Sequence, residues 1–230
     1  MNLLYNFTCH LYSIIFSFFE KFLYKKDNKI YKNFYLFKNL KFNKINFEKF
    51  KKEKTKYSEK IIFPEDKINT LIEDIFISNK LSQKITEVTG FNYTINFFIA
   101  YKIFKLDIKD IKKNIYANYF HKDRPYSKNM IKLIFSFNEI TMNDGPMQIK
   151  SNKLRNICLK KDEIFLFHPN KISHRATSPK HGVRFQMMFQ LNPSSKWQIN
   201  DDIFNKQKQG EPRFPFFSYF FDKKKILIKN

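Results

Sequence analysis

Cysteine, glycine and arginine are all scarce in this chain, and each shortage limits what it can be. Two cysteines in 230 residues, Cys9 and Cys158, leave no disulfide framework. No Cys/His spacing fits a structural zinc site, and Cys158, in NICLK, reads as a small core residue. There are only 5 Arg against 38 Lys, and only 4 Gly. Where Lys is the default cation, a retained Arg points to a need for its bidentate fork. Where Gly is rare, a retained Gly points to a backbone need. Arg184, Gly145 and Gly182 are singled out on that ground. The N-terminal run LLYNFTCHLYSIIFSFFEKFLYKK lacks a basic start and a small-residue cleavage site, so it does not read as a signal peptide. Asn6, Thr8 and His10 interrupt it, which makes it short and impure for a membrane span. A cytoplasmic protein is the expectation. No internal repeat or low-complexity linker divides the chain.

What is abundant is aromatic and basic. Aromatic residues make up 18% of the chain, Phe alone accounts for 29 positions, and the formal net charge is +22. Such a charge ordinarily points to nucleic acid or an anionic membrane. Here Lys, Asn, Ile, Phe and Tyr rise together, the pattern an AT-rich coding sequence writes whatever the protein does. No nucleic-acid partner is expected. Residues 1–60 carry 14 Lys against 5 acids and read as a basic, aromatic extension packing on a domain formed by 61–230. Within it, 3–24 reads as an amphipathic helix, with peripheral membrane contact as the sharper alternative, and 25–60 as irregular strand and loop.

A helix is predicted over about 65–78, with Pro64, Glu65 and Asp66 as start signals and Ile68, Leu71, Ile72, Ile75 and Phe76 recurring at three and four. A second, near 80–88, ends at Gly90. The period then changes to two. In FNYTINFFI, Phe91, Tyr93, Ile95 and Phe97 alternate with Asn92, Thr94 and Asn96, as in a half-buried strand. Further strands are predicted at about 115–121, 130–138, 146–150, 155–159, 163–167, 171–176 and 183–191, separated by turns such as NDGP and SPKHG. The fold class expected is mainly β with N-terminal helices: a double-sheet jelly roll with helices packed on one sheet.

The chemistry concentrates in YFHKDRPYSK. His121 and Asp123 are two apart and so face the same way on an extended segment. Alone, a His-x-Asp pair is usually a surface loop. A metal needs a third ligand, for which His10, His168, His174 and His181 are the candidates. His174 lies late in an alternating segment, and Arg184 follows ten residues later, past a turn, so the two can approach one interior space from adjacent strands. Two imidazoles and a carboxylate on one face of an ion are the ligands of a non-haem Fe(II) oxygenase and leave three positions open. A dicarboxylate bound there needs a cation at its far end, which Arg provides. Along the same strand Gln186, Met188 and Gln190 share Arg184's face, while Phe185, Met187 and Phe189 face away. The preceding strand repeats this, with Lys132, Ser136 and Asn138 on one face and Ile131, Leu133, Phe135 and Phe137 on the other. Arg175 should point away from His174, Tyr119 and Tyr126 flank the corner, and His168 and His181 read as structural or solvated.

The ordered set, from YFHKD through KLIFSFNEITMNDGPM and KDEIFLF to HRATSPKHGVRFQMMFQLNP, resembles the Fe(II)/2-oxoglutarate-dependent dioxygenases, and within them the phytanoyl-CoA dioxygenase-like family, over roughly 65–195. The resemblance implies a distorted double-stranded β-helix, cupin-like in form. It implies Fe(II) held by His121, Asp123 and His174, with 2-oxoglutarate held by Arg184. Lys132 is implied to orient the cosubstrate or substrate, and Gln186 occupies a slot where related enzymes often carry Ser or Thr. The implied activity is hydroxylation of a small organic substrate with O2, releasing succinate and CO2 and stimulated by ascorbate. The carboxylate at 123 argues against a halogenase. After GPM the family usually continues to Gly-Ser-His, where this chain reads QIKSNK. Two other readings compete: a non-catalytic jelly-roll binding module, and a membrane- or nucleic-acid-associated protein acting through its basic N-terminal region.

Overall fold

The structure is a computed structural model; it describes scattered positions within 7–23 together with residues 33–41, 49–107, 118–123, 127–209 and 223–227. The strands are β1 (Phe34–Phe37), β2 (Lys51–Lys54), β3 (Ser58–Ile62), β4 (Asn92–Phe104), β5 (Ile131–Ser136), β6 (Met147–Lys150), β7 (Leu154–Ile157), β8 (Ile164–Phe167), β9 (Ser173–Arg175), β10 (Val183–Ser194), β11 (Gln198–Asn200) and β12 (Lys224–Ile226). Among the described residues the helices with defined bounds are α1 (Glu65–Ile72), α2 (Leu81–Thr89) and α3 (Ile203–Gln209), and the described positions 7, 8, 11, 14–16 and 18–20 of an N-terminal segment are also helical. The strands form two sheets. The larger runs β1-β8-β5-β10-β4-β11-β12, with β3 on β4 and β2 on β3, and the smaller is β7-β6-β9. All pairings are antiparallel except that of β11 with β4. No helix among the described residues is long and apolar enough to cross a membrane.

The helix predicted over 65–78 divides. Residues 65–72 are α-helical and 73–78 widen into a π-helical turn. Both halves bury the predicted face, Ile68, Leu71, Ile72, Ile75 and Phe76. α2 ends where Gly90 takes φ 80°, the left-handed conformation that costs glycine least. These helical side chains join Tyr93, Ile95, Phe98, Ala100, Leu133, Phe135, Met187 and Phe189 in the main core. Phe76 meets Phe189 edge to face at 5.3 Å, a favoured aromatic geometry.

The other face of the large sheet looks toward the small one. Ile134, Phe165 and Phe167 from the large sheet cluster there with Ile149 of β6. The alternation expected of β5 and β10 is realised. Their odd-numbered residues 133, 135, 187 and 189 enter the main core, and Lys132, Ser136, Arg184, Gln186 and Gln190 occupy the opposite face, all buried.

The reading of 91–97 needs a correction. Register shifts at Gln190/Leu191, which pair with Phe97 and Ile95, so Asn96 is an extra residue in a β-bulge. A bulge turns every later side chain to the other face. Tyr93 and Ile95 therefore share the main core with Phe98 and Ala100, not with Phe97. Residues 97, 99, 101 and 103 now stand opposite Gln190, Met188, Gln186 and Arg184. Cys158 is also corrected: it is exposed, because its neighbour Leu159 is the residue turned inward, bridging Ile140. Part of the predicted strand at 115–121, and Arg124 to Tyr126 of the metal corner, lie outside the described residues, as do Cys9 and His10.

Candidate metal centre

His174 is the middle residue of β9, paired on one side with Ile149 of β6. On its other side it forms an isolated antiparallel bridge with His121. The two backbones exchange hydrogen bonds, His121 N–H to the His174 carbonyl at 3.0 Å and the reverse at 2.8 Å. Such a reciprocally bonded pair puts both side chains on one side of the ladder, and the rings lie 4.5 Å apart between centroids. Asp123 is fixed two residues on, where its N–H donates to the Pro169 carbonyl at 2.9 Å. Its Oδ1 lies 3.6 Å from His121 Nε2 and 3.7 Å from His174 Nε2. All three ligand atoms fall within 4.8 Å of one another, and this is the one such group of three among the described residues.

The tautomers follow from the hydrogen bonds. Nδ1 of His121 lies 2.7 Å from the Tyr119 carbonyl, and Nδ1 of His174 lies 3.0 Å from the Ile172 carbonyl. A carbonyl only accepts, so in both rings Nδ1 carries a proton, which leaves Nε2 as the atom free to ligate. This is the outer-sphere arrangement of metal-bound histidine. Burial pushes the His174 imidazolium below its ordinary pKa, against the opposing pull of Asp123, which keeps the ring in the ligating form. Phe167 packs on the ring edge to face at 5.0 Å. The donor set of two neutral imidazoles and one carboxylate fits Fe(II), and similarly Mn(II), Co(II) or Ni(II).

The large sheet supplies the remaining charges. Lys132 of β5 reaches across to Asp123, with Nζ 2.7 Å from Oδ2, the oxygen not directed at the imidazoles. Arg184, near the start of β10, is only 1% exposed. Its Nη1 donates to the Thr177 carbonyl at 3.2 Å, its Nε has no partner, and no carboxylate among the described residues pairs with it. Burial lowers its pKa while nearby Tyr101 opposes that. Gln186 donates through Nε2 to the Tyr101 hydroxyl, which bridges Gln186 to the strand opposite. Tyr101 is the member that sequence reasoning missed. Only the Asn96 bulge brings it to this face, and simple alternation gave no signal of it.

Arg175 points away from His174, donating Nε to Gln148 Oε1 at 2.7 Å and stacking over the Phe120 ring at 4.5 Å. Tyr119 is largely exposed and serves through its carbonyl. His168 is buried and donates to the Met130 carbonyl at 3.2 Å. His181 is exposed. Neither joins the ligand group. A cavity of about 240 Å³ is lined by Leu106, Asn118, Arg175, Ala176, Thr177 and Ser178, with none of the three candidate ligands in its wall.

No protein-family model matches the sequence, and no curated protein matches it. In structure the chain is similar to HygX from Streptomyces hygroscopicus, solved with nickel, 2-oxoglutarate and hygromycin B bound, at 10% identity over 79% of this chain and 88% of that one, TM-score 0.48. It is also similar to SnoN, a non-heme alpha-ketoglutarate-dependent epimerase from nogalamycin biosynthesis, at 8% identity over 64% and 66% of the two chains, TM-score 0.43. A third is CytC3 with Fe(II) and alpha-ketoglutarate, at 15% identity over 56% and 54%, TM-score 0.40. At this distance the chemistry of those proteins does not carry over, and it has to come from the residues of this chain.

Proposed function

We propose that the chain is an Fe(II)- and 2-oxoglutarate-dependent dioxygenase, of the phytanoyl-CoA dioxygenase-like kind, that hydroxylates a C–H bond of a small organic substrate and releases succinate and CO2. One observation carries the reading: Arg184 is a fully buried guanidinium with no anion among the described residues, on the same inter-sheet face as Lys132, whose ammonium touches Asp123. An uncompensated buried cation is costly, and a carboxylate ligand arriving from the metal side would compensate it with bidentate geometry.

The bound metal with its cosubstrate and O2 would supply the oxidising chemistry. The chain's own residues bind and orient. His121, Asp123 and His174 would hold the ion on one face. Arg184 would take the distal carboxylate of 2-oxoglutarate, with Gln186 and Tyr101 alongside it. Lys132 would hold Asp123 through its outer oxygen and present its charge toward the cosubstrate. Phe167 and the apolar cluster behind it would exclude water from the inner side. The cavity lined by Thr177, whose carbonyl receives Arg184, would give a small organic substrate room.

The test is succinate formation by purified protein given Fe(II), 2-oxoglutarate and ascorbate, with metal binding followed in parallel by calorimetry. Metal-dependent turnover of 2-oxoglutarate, lost in Asp123→Ala, is the expected result. Failure to bind a divalent metal, or full activity in Asp123→Ala, would sink the reading.

A further inference from the structure

The N-terminal helix has two faces with opposite fates. Phe16 and Glu20, four apart on one helical face, are 5% and 2% exposed, and Leu23, in the turn that follows, packs against the main core. Glu20 is fastened there by Asn129, whose Nδ2 donates to its carboxylate at 2.7 Å. Lys171 in turn donates to Asn129 Oδ1 at 3.1 Å. The outward face carries Phe7, Leu11, Ile14, Ile15 and Phe18, continued by Phe22 in the turn that follows, and these are 64%, 45%, 51%, 42%, 61% and 78% exposed. Their steps of four, three, one, three and four describe a single stripe. A surface helix ordinarily turns its polar side to water. This one is docked by one face and presents large apolar side chains on the other, well beyond the scattered single hydrophobics of an ordinary surface.

Charge decides what covers that stripe. Glu20 is the only acid among the first 26 residues, and it is turned inward, so the outer face presents no anion. In sequence, Lys21, Lys25 and Lys26 follow the stripe. A second copy would bring one chain of net charge +22 against another, and that repulsion opposes self-association. An anionic lipid surface meets both features at once, with headgroups for the lysines and an acyl boundary for the phenylalanines. A helix with one docked face and one apolar face would lie in the plane of that interface.

We propose that the exposed stripe of the N-terminal helix is a peripheral docking surface for an anionic membrane. Because Asn129 lies only six positions beyond Asp123, the docked helix is tied to the chain leading out of the metal corner. This proposal does not depend on the iron reading. Its test is flotation of the full chain with vesicles of phosphatidylcholine alone, or with about one-third phosphatidylserine, at physiological salt. Flotation with the anionic vesicles and little with the neutral ones is expected. Phe18→Ser with Phe22→Ser should cut the bound fraction roughly tenfold while leaving thermal unfolding and metal binding unchanged. If the pair perturbs folding, Phe22→Ser alone should still reduce binding. No flotation, or flotation indifferent to both variants, would overturn the proposal. So would a dimer seen by light scattering that these substitutions dissolve without any effect on vesicles, since that result assigns the face to a second copy.

Discussion

Lys132 and Asp123 form an ion pair of 2.7 Å in which the lysine takes Oδ2 and leaves Oδ1 facing both imidazoles. Their side chains are 8% and 14% exposed, so each charge depends on the other far more than in a surface pair. Removing one partner of a buried pair strands the other, whereas removing both is close to neutral. Asp123→Ala should therefore abolish metal binding and also destabilise the metal-free protein by about 3 kcal/mol. Adding Lys132→Met should restore most of that stability and none of the metal binding. Urea unfolding of the three proteins, with metal titration by calorimetry, checks both halves. If the double variant is no more stable than Asp123→Ala, the pair is not coupled as the geometry requires.

Arg184 invites the reverse experiment. Its charge is buried with no anion among the described residues, so Arg184→Leu should cost the ligand-free fold little beyond the lost bond to Thr177. In metal-loaded protein the same change should weaken 2-oxoglutarate binding roughly a hundredfold. Tyr101→Phe, which leaves Gln186 Nε2 without its acceptor, should give a smaller loss. Calorimetric titration of 2-oxoglutarate into the metal-loaded variants measures both. Equal affinity in Arg184→Leu and the parent would reject the assigned role.

Much of this arrangement is readable in the residues because it follows from periodicity. Two-residue spacing places His121 with Asp123, and strand alternation places Arg184 with Gln186 and Lys132 with Ser136. What alternation does not reveal is where it is interrupted. The Asn96 bulge exchanges the two faces of β4 and delivers Tyr101 to the pocket side. Lys132 could be read as facing the cavity, but its pairing with Asp123 depends on how the two sheets approach, which no local pattern encodes. The reading of 25–60 as irregular strand and loop does not place the strands at 34–37 and 51–54, since lysines among aromatics look alike in loop and strand. β1 nevertheless pairs with β8 along the edge of the large sheet, next to the strand whose Phe167 packs on His174.

Gly145 links the NDGP turn to the Arg184 end of the pocket. It sits at φ +68°, and a Cβ there would fall 2.5 Å from backbone atoms of Thr177, Ser178 and Pro179. Those neighbours are main chain and cannot swing aside. Gly145→Ala should destabilise the protein by about 2 kcal/mol or more through backbone strain and forced displacement. Since the Thr177 carbonyl receives Arg184 Nη1, it should also weaken 2-oxoglutarate binding with the metal affinity little changed. Thermal unfolding and the paired titrations separate the two effects. A variant as stable as the parent would show that this segment yields easily.

His168 provides a handle on acid stability away from the ligand group. Burial, with Lys171 adding to it, drives its pKa from the ordinary 6.5 to about 3, so the folded protein holds the ring neutral. The unfolded chain takes up a proton as pH falls below about 6.5 and the folded one does not until about 3. Its contribution is therefore intact above pH 6.5 and is lost progressively as pH drops between those values. His174, shifted in the same direction, adds to the slope. His168→Asn keeps a donor near the Met130 carbonyl and removes the titrating ring. Between pH 6.5 and 5 the parent should lose about 2 kcal/mol more than this variant, read from urea midpoints in metal-free protein. Identical pH slopes in the two proteins would mean that the buried imidazole does not resist protonation as its surroundings demand.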